Sequence, residues 1–445
     1  MPKNDVFRQL IFIVVGVMMA YKAIRQMVAM SHSTRKPAEI ARTYYSERVH
    51  HVSAVRTGIQ SLNGYEFFAV MTAEMMCRVD HIYLTDQHIQ ARWNELDNCA
   101  HDFFHEKLIA HELDNTQAIE GIHSSWQQTA KAVEAAQHPQ KKAVPLEKMA
   151  HIYLDLQRNT GSPRQASEIR DLYNFIMHDD QSADIQLEGL LFREGDVIIS
   201  DPGQSQPTHR AVSGEYVESY MKQWLRLAND SCIPSLIRAV MCHFIFEYIH
   251  PFYDGNGRTG RYLLAMQLRN TLSMPAALSV SSAISRHKNQ YYKAFEVAEH
   301  PLNCAELTMF VHTLLEFIDE ELQELQHKLD ENFFAYEMVK IMPVSKLVKL
   351  FMAQELYGYR SERGMSIGEI SERLGMNRNR VASELNALIN DDVMEQISNS
   401  SPADDAVVWG ADETLRDFMH TRKLVKIQGS GQRASVFRFE KRGNA

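Results

Sequence analysis

Apolar residues recur at the helical spacing of three to four positions over most of the chain. Ala38 to His111 carries this pattern with few glycines or prolines and reads as helical. Leu146 to Leu156 and Ala166 to Met177 follow, the second with Ile169, Leu172, Tyr173 and Ile176 on one stripe. A helix through Tyr216, Met221, Trp224 and Leu225 precedes the continuously apolar run Ile237 to Ile249, and Arg258 to Leu272 is a further helical run. Ser279 to His300 holds a serine-rich turn and the pair Tyr291-Tyr292. Phe310 to Lys328 is a long amphipathic helix rich in Glu and Asp, which Phe333 to Tyr357 continues as a connector. Ala135 to Val144 and Asp201 to Thr208 read as polar loops. Strand character stands out in one place within this helical region: Leu190 to Arg193 and Val197 to Ile199 flank the turn Glu194-Gly195-Asp196, which predicts a β-hairpin. The expected fold class is mainly α.

Near the start, Leu10 to Tyr21 is continuously apolar, but it falls short of the ~20 residues a membrane helix needs. Met18 sits where a signal peptide wants a small residue before a cut after Ala20. A buried helix in a cytoplasmic protein is the reading preferred over a signal peptide or a membrane anchor. At 445 residues, 45% hydrophobic and 23% charged, the composition is that of a multidomain globular protein. A net charge of −9 argues against a chain that coats nucleic acid non-specifically. The five cysteines, Cys77, Cys99, Cys232, Cys242 and Cys304, form no CxxC pair and read as reduced thiols. His101 and His105 share a helix face, and His111 follows too late for a zinc-binding HExxH, so these read as surface or core histidines.

Ser366 to Val381 has the layout of a helix-turn-helix. Ser366 caps a first helix, Gly375 centres the turn, and a second helix starts after Asn377 with Val381, Leu385 and Leu388 as its buried stripe. Leu424 to Ile427 and Val436 to Phe439 flank Gln428 to Arg433 as a wing-like hairpin. Arg378, Asn379 and Arg380 stand where DNA contacts are made, yet basic and acidic residues balance from Arg360 to Ala445. DNA and a protein surface both remain open as the ligand of this module.

Chemistry concentrates between the two apolar helices, in His250-Pro251-Phe252-Tyr253-Asp254-Gly255-Asn256-Gly257-Arg258-Thr259-Gly260-Arg261. The glycines let backbone approach a ligand, Asn256 adds an amide donor, and the N-terminus of the following helix favours an anion. Arg258 and Arg261, three apart, can face one polyphosphate, and Asp254 is a hard oxygen ligand for Mg²⁺ beside it. His250 can accept a proton near neutral pH. Together these point to phosphoryl or nucleotidyl transfer.

The stretch resembles the Fic (Fido) signature His-Pro-Phe-x-(Asp/Glu)-Gly-Asn-(Gly/Lys)-Arg-x-x-Arg at every specified position. Phe192 to Ile199 and Ser281 to Tyr292 also look like that family, and the resemblance covers roughly Ala166 to Glu320. It implies a helical core with a hairpin flap, and transfer of AMP from ATP to a Ser, Thr or Tyr hydroxyl of a target protein or of the chain itself. Carried over, His250 is the base, Asp254 the Mg²⁺ ligand, and Gly255, Asn256 and Gly257 the α- and β-phosphate cradle. Arg258 assists the phosphates, Arg261 holds the γ-phosphate, and Phe252 anchors the loop. Val197, Ile198 and Ile199 form the flap strand on which a target peptide lies. Glycine at 257 favours AMP transfer over phosphorylation, for which the family tends to carry Lys there.

Thr116-Gln117-Ala118-Ile119-Glu120-Gly121 then gains meaning, because it matches the family's inhibitory motif (Ser/Thr)-x-x-x-Glu-(Gly/Asn). Glu120 can pair in bidentate fashion with Arg261 and occupy the fork that the γ-phosphate needs. The expected organisation is 1–100 N-terminal helices, 101–163 helices with the inhibitory motif, 164–320 Fic core, 321–357 connectors and 358–445 winged helix-turn-helix. Two other readings stay open: an ATP-sensing transcription regulator, and an enzyme that uses Glu120 to orient water and strip AMP from a modified protein. A homodimer is a further open possibility, and no membrane partner is expected.

Overall fold

A computed structural model describes residues 21–138, 144–158, 161–179, 191–199, 209–341, 345–358, 365–390, 422–428 and 435–441. The described residues begin with helices α1 (Ile24–Met30) and α2 (Pro37–Val49), followed by strands β1 (Ala54–Gln60) and β2 (Glu66–Val70). Helices α3 (Ala73–Glu95), α4 (Asn98–Ile119), α5 (Trp126–Gln137), α6 (Glu147–Asp155) and α7 (Ala166–Ile176) come next. After strands β3 (Ile198–Ile199) and β4 (His209–Arg210) run α8 (Gly214–Ala228), α9 (Ser235–Ile249) and α10 (Asn256–Arg269). Then follow α11 (Met274–Ala277), α12 (Val280–Arg286), α13 (Lys288–Glu299), α14 (Thr308–Ile341) and α15 (Lys346–Tyr357). The last described elements are β5 (Met365–Ser366), α16 (Ile367–Leu374), α17 (Arg378–Asn390), β6 (Arg422–Gln428) and β7 (Ser435–Lys441). The fold is mainly α, as the apolar periodicity requires. Two compact units divide it: Met1–Asp80, Leu187–Tyr253 and His287–Phe317 in the first, and His81–Gln186, Asp254–Arg286 and Ile318–Ala445 in the second.

The first unit is built on α9. Its sequence is largely apolar all round, and Leu236 to Phe246 includes ten buried positions, among them Ile237, Val240, Phe244 and Phe246. Phe244 is the hub of an aromatic cluster, with ring centroids 5.8 Å from Phe67, 5.2 Å from Phe295 and 4.9 Å from Phe310. The Trp224 indole N–H donates to the Cys242 carbonyl at 2.8 Å and ties α8 to α9.

Here the uniformly helical reading of Ala38 to His111 is corrected. Residues 54–70 form an antiparallel hairpin, with Ala54 opposite Val70 and Gln60 opposite Glu66. Its cause was present in the sequence: Val55, Thr57 and Ile59 alternate along β1, and Asn63-Gly64 is a hairpin turn. The hairpin is pinned where Leu62 N–H donates to Tyr248 Oη (2.9 Å), Val70 N–H to Thr308 Oγ1 (2.9 Å) and Leu307 N–H to the Phe68 carbonyl (2.8 Å). The hairpin predicted around Glu194-Gly195-Asp196 also differs. Ile199 and Ile198 pair with His209 and Arg210, while residues 191–197 form no strand. Arg193 instead has its side chain buried in the first unit's interior, as described below.

In the second unit α4 is the central rod, packed by α5, α6, α12 and α15. Asp97 caps it through a bond from Ala100 N–H (3.0 Å), and it ends at Glu120, with Gly121 beyond at φ 76°. The connector expected as one continuation is two helices: α14 runs to Ile341, and Ser345 caps α15 afresh by accepting from Val348 N–H. At the C-terminal end Ser366 and Glu369 form a reciprocal capping box for α16, and Gly375 closes it at φ 61°. α17 starts at Arg378, and β5, β7 and β6 form a three-stranded antiparallel sheet in that order. Residues 429–433 of the wing-like turn and residues 10–20 of the N-terminal apolar run lie outside the described residues. Among the described residues no helix is long and apolar enough to cross a membrane.

Phe244→Ala should cost about 3–5 kcal/mol by emptying the centre of the aromatic cluster, read as a lowered midpoint in thermal unfolding. An unchanged midpoint would show that the cluster is not the core of the first unit.

Candidate active site

The helix that carries His250 ends abruptly. His250 takes the left-handed conformation, φ 54° and ψ 63°, while its N–H still donates to the Phe246 carbonyl at 2.9 Å. A non-glycine residue there is uncommon and persists only where its surroundings over-determine it. Arg193 supplies that determination. It is 1% exposed. Its Nε donates to the His250 carbonyl (2.7 Å) and its Nη2 to the Ile249 carbonyl (3.2 Å), with further bonds to the carbonyls of Val212 and Gly195. The Ile249 and His250 carbonyls lie at the C-terminus of α9, and a guanidinium fork both satisfies them and suits the negative end of the helix dipole. The Arg193 N–H adds a bond to the Pro251 carbonyl at 3.0 Å. Phe252, fully buried, packs on Phe192 at 5.7 Å, and Tyr253 Oη accepts from Gly195 N–H at 2.9 Å. Residues 192–195 thus brace the loop from behind, while Val197 at the start of the expected flap is half-buried.

In the second unit the loop enters α10. Gly255 is its N-cap at φ 72°, and a side chain there would run into Met177. Asp254 is exposed; its Oδ1 accepts from Gly255 N–H at 2.6 Å and its Oδ2 lies 3.9 Å from Arg258 Nη2. A single accessible carboxylate of this kind fits a Mg²⁺ shared with phosphates rather than caged by protein. Asn256 and Arg258 are buried in the first turn.

One turn on, Arg261 is 1% exposed and its fork is engaged by α4. Nε donates to Thr116 Oγ1 (2.9 Å), and Nη2 to the Thr116 carbonyl (3.0 Å) and to Glu120 Oε1 (2.7 Å). Thr116 takes a share of the fork that the bidentate Glu120 pairing did not assign to it. The Glu120 carboxylate also lies against Gly257: a Cβ at 257 would stand 2.2 Å from Oε1. A negative group therefore stands beside the first turn of α10, where the positive end of the helix dipole and two arginines favour an anion.

Other expected candidates lie elsewhere. Arg378, Asn379 and Arg380 are exposed on the first turn of α17, with Arg380 Nε bonded to Glu384 Oε1 at 2.8 Å. His105 is buried against Trp93, and burial pushes its pKa down to about 4, so it is a neutral packed ring. His111 packs on Trp126 at 4.6 Å. The residue that sequence reasoning missed is Arg193: a charged side chain in a β-prone run gives no local signal that it will be buried.

Residues 165–268 match the model of the Fic/DOC family. The chain is 31% identical over 115 residues to the protein adenylyltransferase fic-1 of Caenorhabditis elegans, covering 25% of this chain and 21% of that protein. It is 34% identical over 109 residues to a probable protein adenylyltransferase of Aquifex aeolicus, covering 24% and 30%. The chain thus spans about a fifth to a third of the length of these curated relatives. A crystal structure of a Fic family protein from Desulfovibrio desulfuricans superposes with a TM-score of 0.47 at 18% identity, covering 84% of this chain and 98% of that one.

Arg193→Met should destabilise the protein by at least ~3 kcal/mol, since several carbonyls lose their donor at once. A thermal or denaturant unfolding midpoint equal to wild type would remove its bracing role.

Proposed function

We propose that the protein is an autoinhibited adenylyltransferase that moves AMP from ATP to a Ser, Thr or Tyr hydroxyl of a target protein or of itself. The observation that carries this reading is the Arg261–Glu120 pair at the start of α10, inside a domain whose curated relatives are named protein adenylyltransferases. In this reading Gly255, Asn256 and Gly257 cradle the α- and β-phosphates with backbone and amide N–H groups. Arg258 neutralises them from the helix side, and Arg261 clamps the γ-phosphate. Asp254 would hold Mg²⁺, which supplies charge neutralisation across the phosphates when bound. His250 takes the proton of the attacking hydroxyl as the new O–P bond forms at the α-phosphorus. The bond from the α-phosphorus to the bridging oxygen breaks, and pyrophosphate leaves. Phe252 anchors the loop, and Val197, Ile198 and Ile199 offer a strand edge to the target peptide.

Glu120 sets the resting state. While it holds the Arg261 fork, the γ-phosphate lacks its clamp, and ATP binds out of line for attack. The C-terminal part, 358–445, is proposed as a winged helix-turn-helix that recruits a partner, with Arg378, Asn379 and Arg380 as its contacts to DNA.

Labelling with ATP carrying a tagged α-phosphate tests this. Glu120→Gly should raise self-labelling at least ~10-fold, the factor set by losing one charge-assisted bond to Arg261. In the same background His250→Ala should bring labelling to the level of a no-enzyme control. Labelling that survives without the His250 imidazole would remove it as the base.

A further inference from the structure

Glu112 is a wholly buried carboxylate on α4, and the reaction outlined above makes no use of it. It lies one turn before Thr116 and two turns before Glu120, so positions 112, 116 and 120 form one stripe along the helix. The last two meet Arg261 of α10. The first meets other elements: Ser281 N–H of α12 donates to Oε2 at 3.0 Å, Ser281 Oγ donates to Oε1 at 2.5 Å, and Tyr153 Oη of α6 lies 3.4 Å from Oε1.

From this geometry we infer that Glu112 is a positioning residue for the inhibitory contact: it fixes the rotation and height of α4 at which Thr116 and Glu120 reach the Arg261 fork. The inference rests on the proposed role of Glu120. An apolar residue at 112 would pack as well, yet it would tolerate rotation and sliding of a helix that moves about 1.5 Å and 100° per residue. Directional bonds to a carboxylate do not tolerate them. A slip of one residue would swing Glu120 off the axis of Arg261 altogether. Burial raises the Glu112 carboxyl to about 7, even though the Ser281 bonds and the Arg261 charge act to lower it. The group is thus costly to hide, and a costly buried polar group satisfied from two neighbouring elements is a known means of fixing register.

Four full-length proteins test the inference: wild type, Glu112→Gln, Glu120→Gly and the double variant, compared by kcat and KM for self-labelling. Glu112→Gln keeps the shape of the side chain but cannot accept on both ends. It should raise kcat about tenfold over wild type. In the Glu120→Gly background, where nothing is left to position, it should leave kcat and KM within about twofold. Ser281→Ala, which deletes one donor, should move wild type in the same direction by a smaller factor. If Glu112→Gln lowers labelling in both backgrounds, or leaves wild type unchanged while Glu120→Gly is active, the positioning role is wrong. If Glu120→Gly itself does not label, the inhibitory reading fails first, and that outcome is distinct from the other two.

Discussion

A guanidinium that is 1% exposed must be compensated, and the arrangement around Arg261 follows from how that is done. Thr116 of α4 accepts from Nε and shares Nη2, and Glu120 at the end of that helix supplies the opposite charge. The constraint reaches outward from there. A Cβ at Gly257 would stand 2.2 Å from Glu120 Oε1, so a side chain there would have to displace that carboxylate. α4 has to stop at Glu120, which Gly121 accomplishes by adopting positive φ. The same donors that satisfy a carboxylate would satisfy a phosphate, so one buried cation has two suitable anions and only one fork.

The loop before α10 depends on a second buried guanidinium in the first unit. Arg193 closes the C-terminus of α9 by binding the carbonyls of Ile249 and His250, and so it holds His250 in a conformation that a free chain would avoid. Both arginines obey one rule. A planar fork with five donors replaces water at backbone or carboxylate oxygens that would otherwise be stranded.

The loop was legible in the sequence because its polar residues are contiguous: twelve residues hold a histidine, a carboxylate, the glycines and both arginines, flanked by two unmistakably apolar helices. The capping box Ser366/Glu369 and the Gly375 stop were legible for the same local reason. Contacts set by tertiary placement were not. Nothing near Arg193 announces that its side chain is buried, and the polar pair His209-Arg210 shows no alternation that would mark it as the strand opposite Ile198 and Ile199. The β1–β2 hairpin was readable but hidden by the helical segments on either side; the alternation of Val55, Thr57 and Ile59 and the Asn63-Gly64 turn were its signal. The stripe 112, 116, 120 was equally available at helical spacing. Its meaning needed Ser281 and Tyr153 brought beside it from more than forty residues away in one case and far beyond in the other.

The claim that Arg261 cannot serve Glu120 and a γ-phosphate together is tested most directly by calorimetric binding of ATP and ADP, which differ only by that phosphate. Wild type should bind the two with nearly equal affinity, because its clamp is already taken. Glu120→Gly should prefer ATP by about tenfold or more, the worth of a charge-assisted bond released for the ligand. A wild type that prefers ATP by the same ratio as Glu120→Gly would contradict the account.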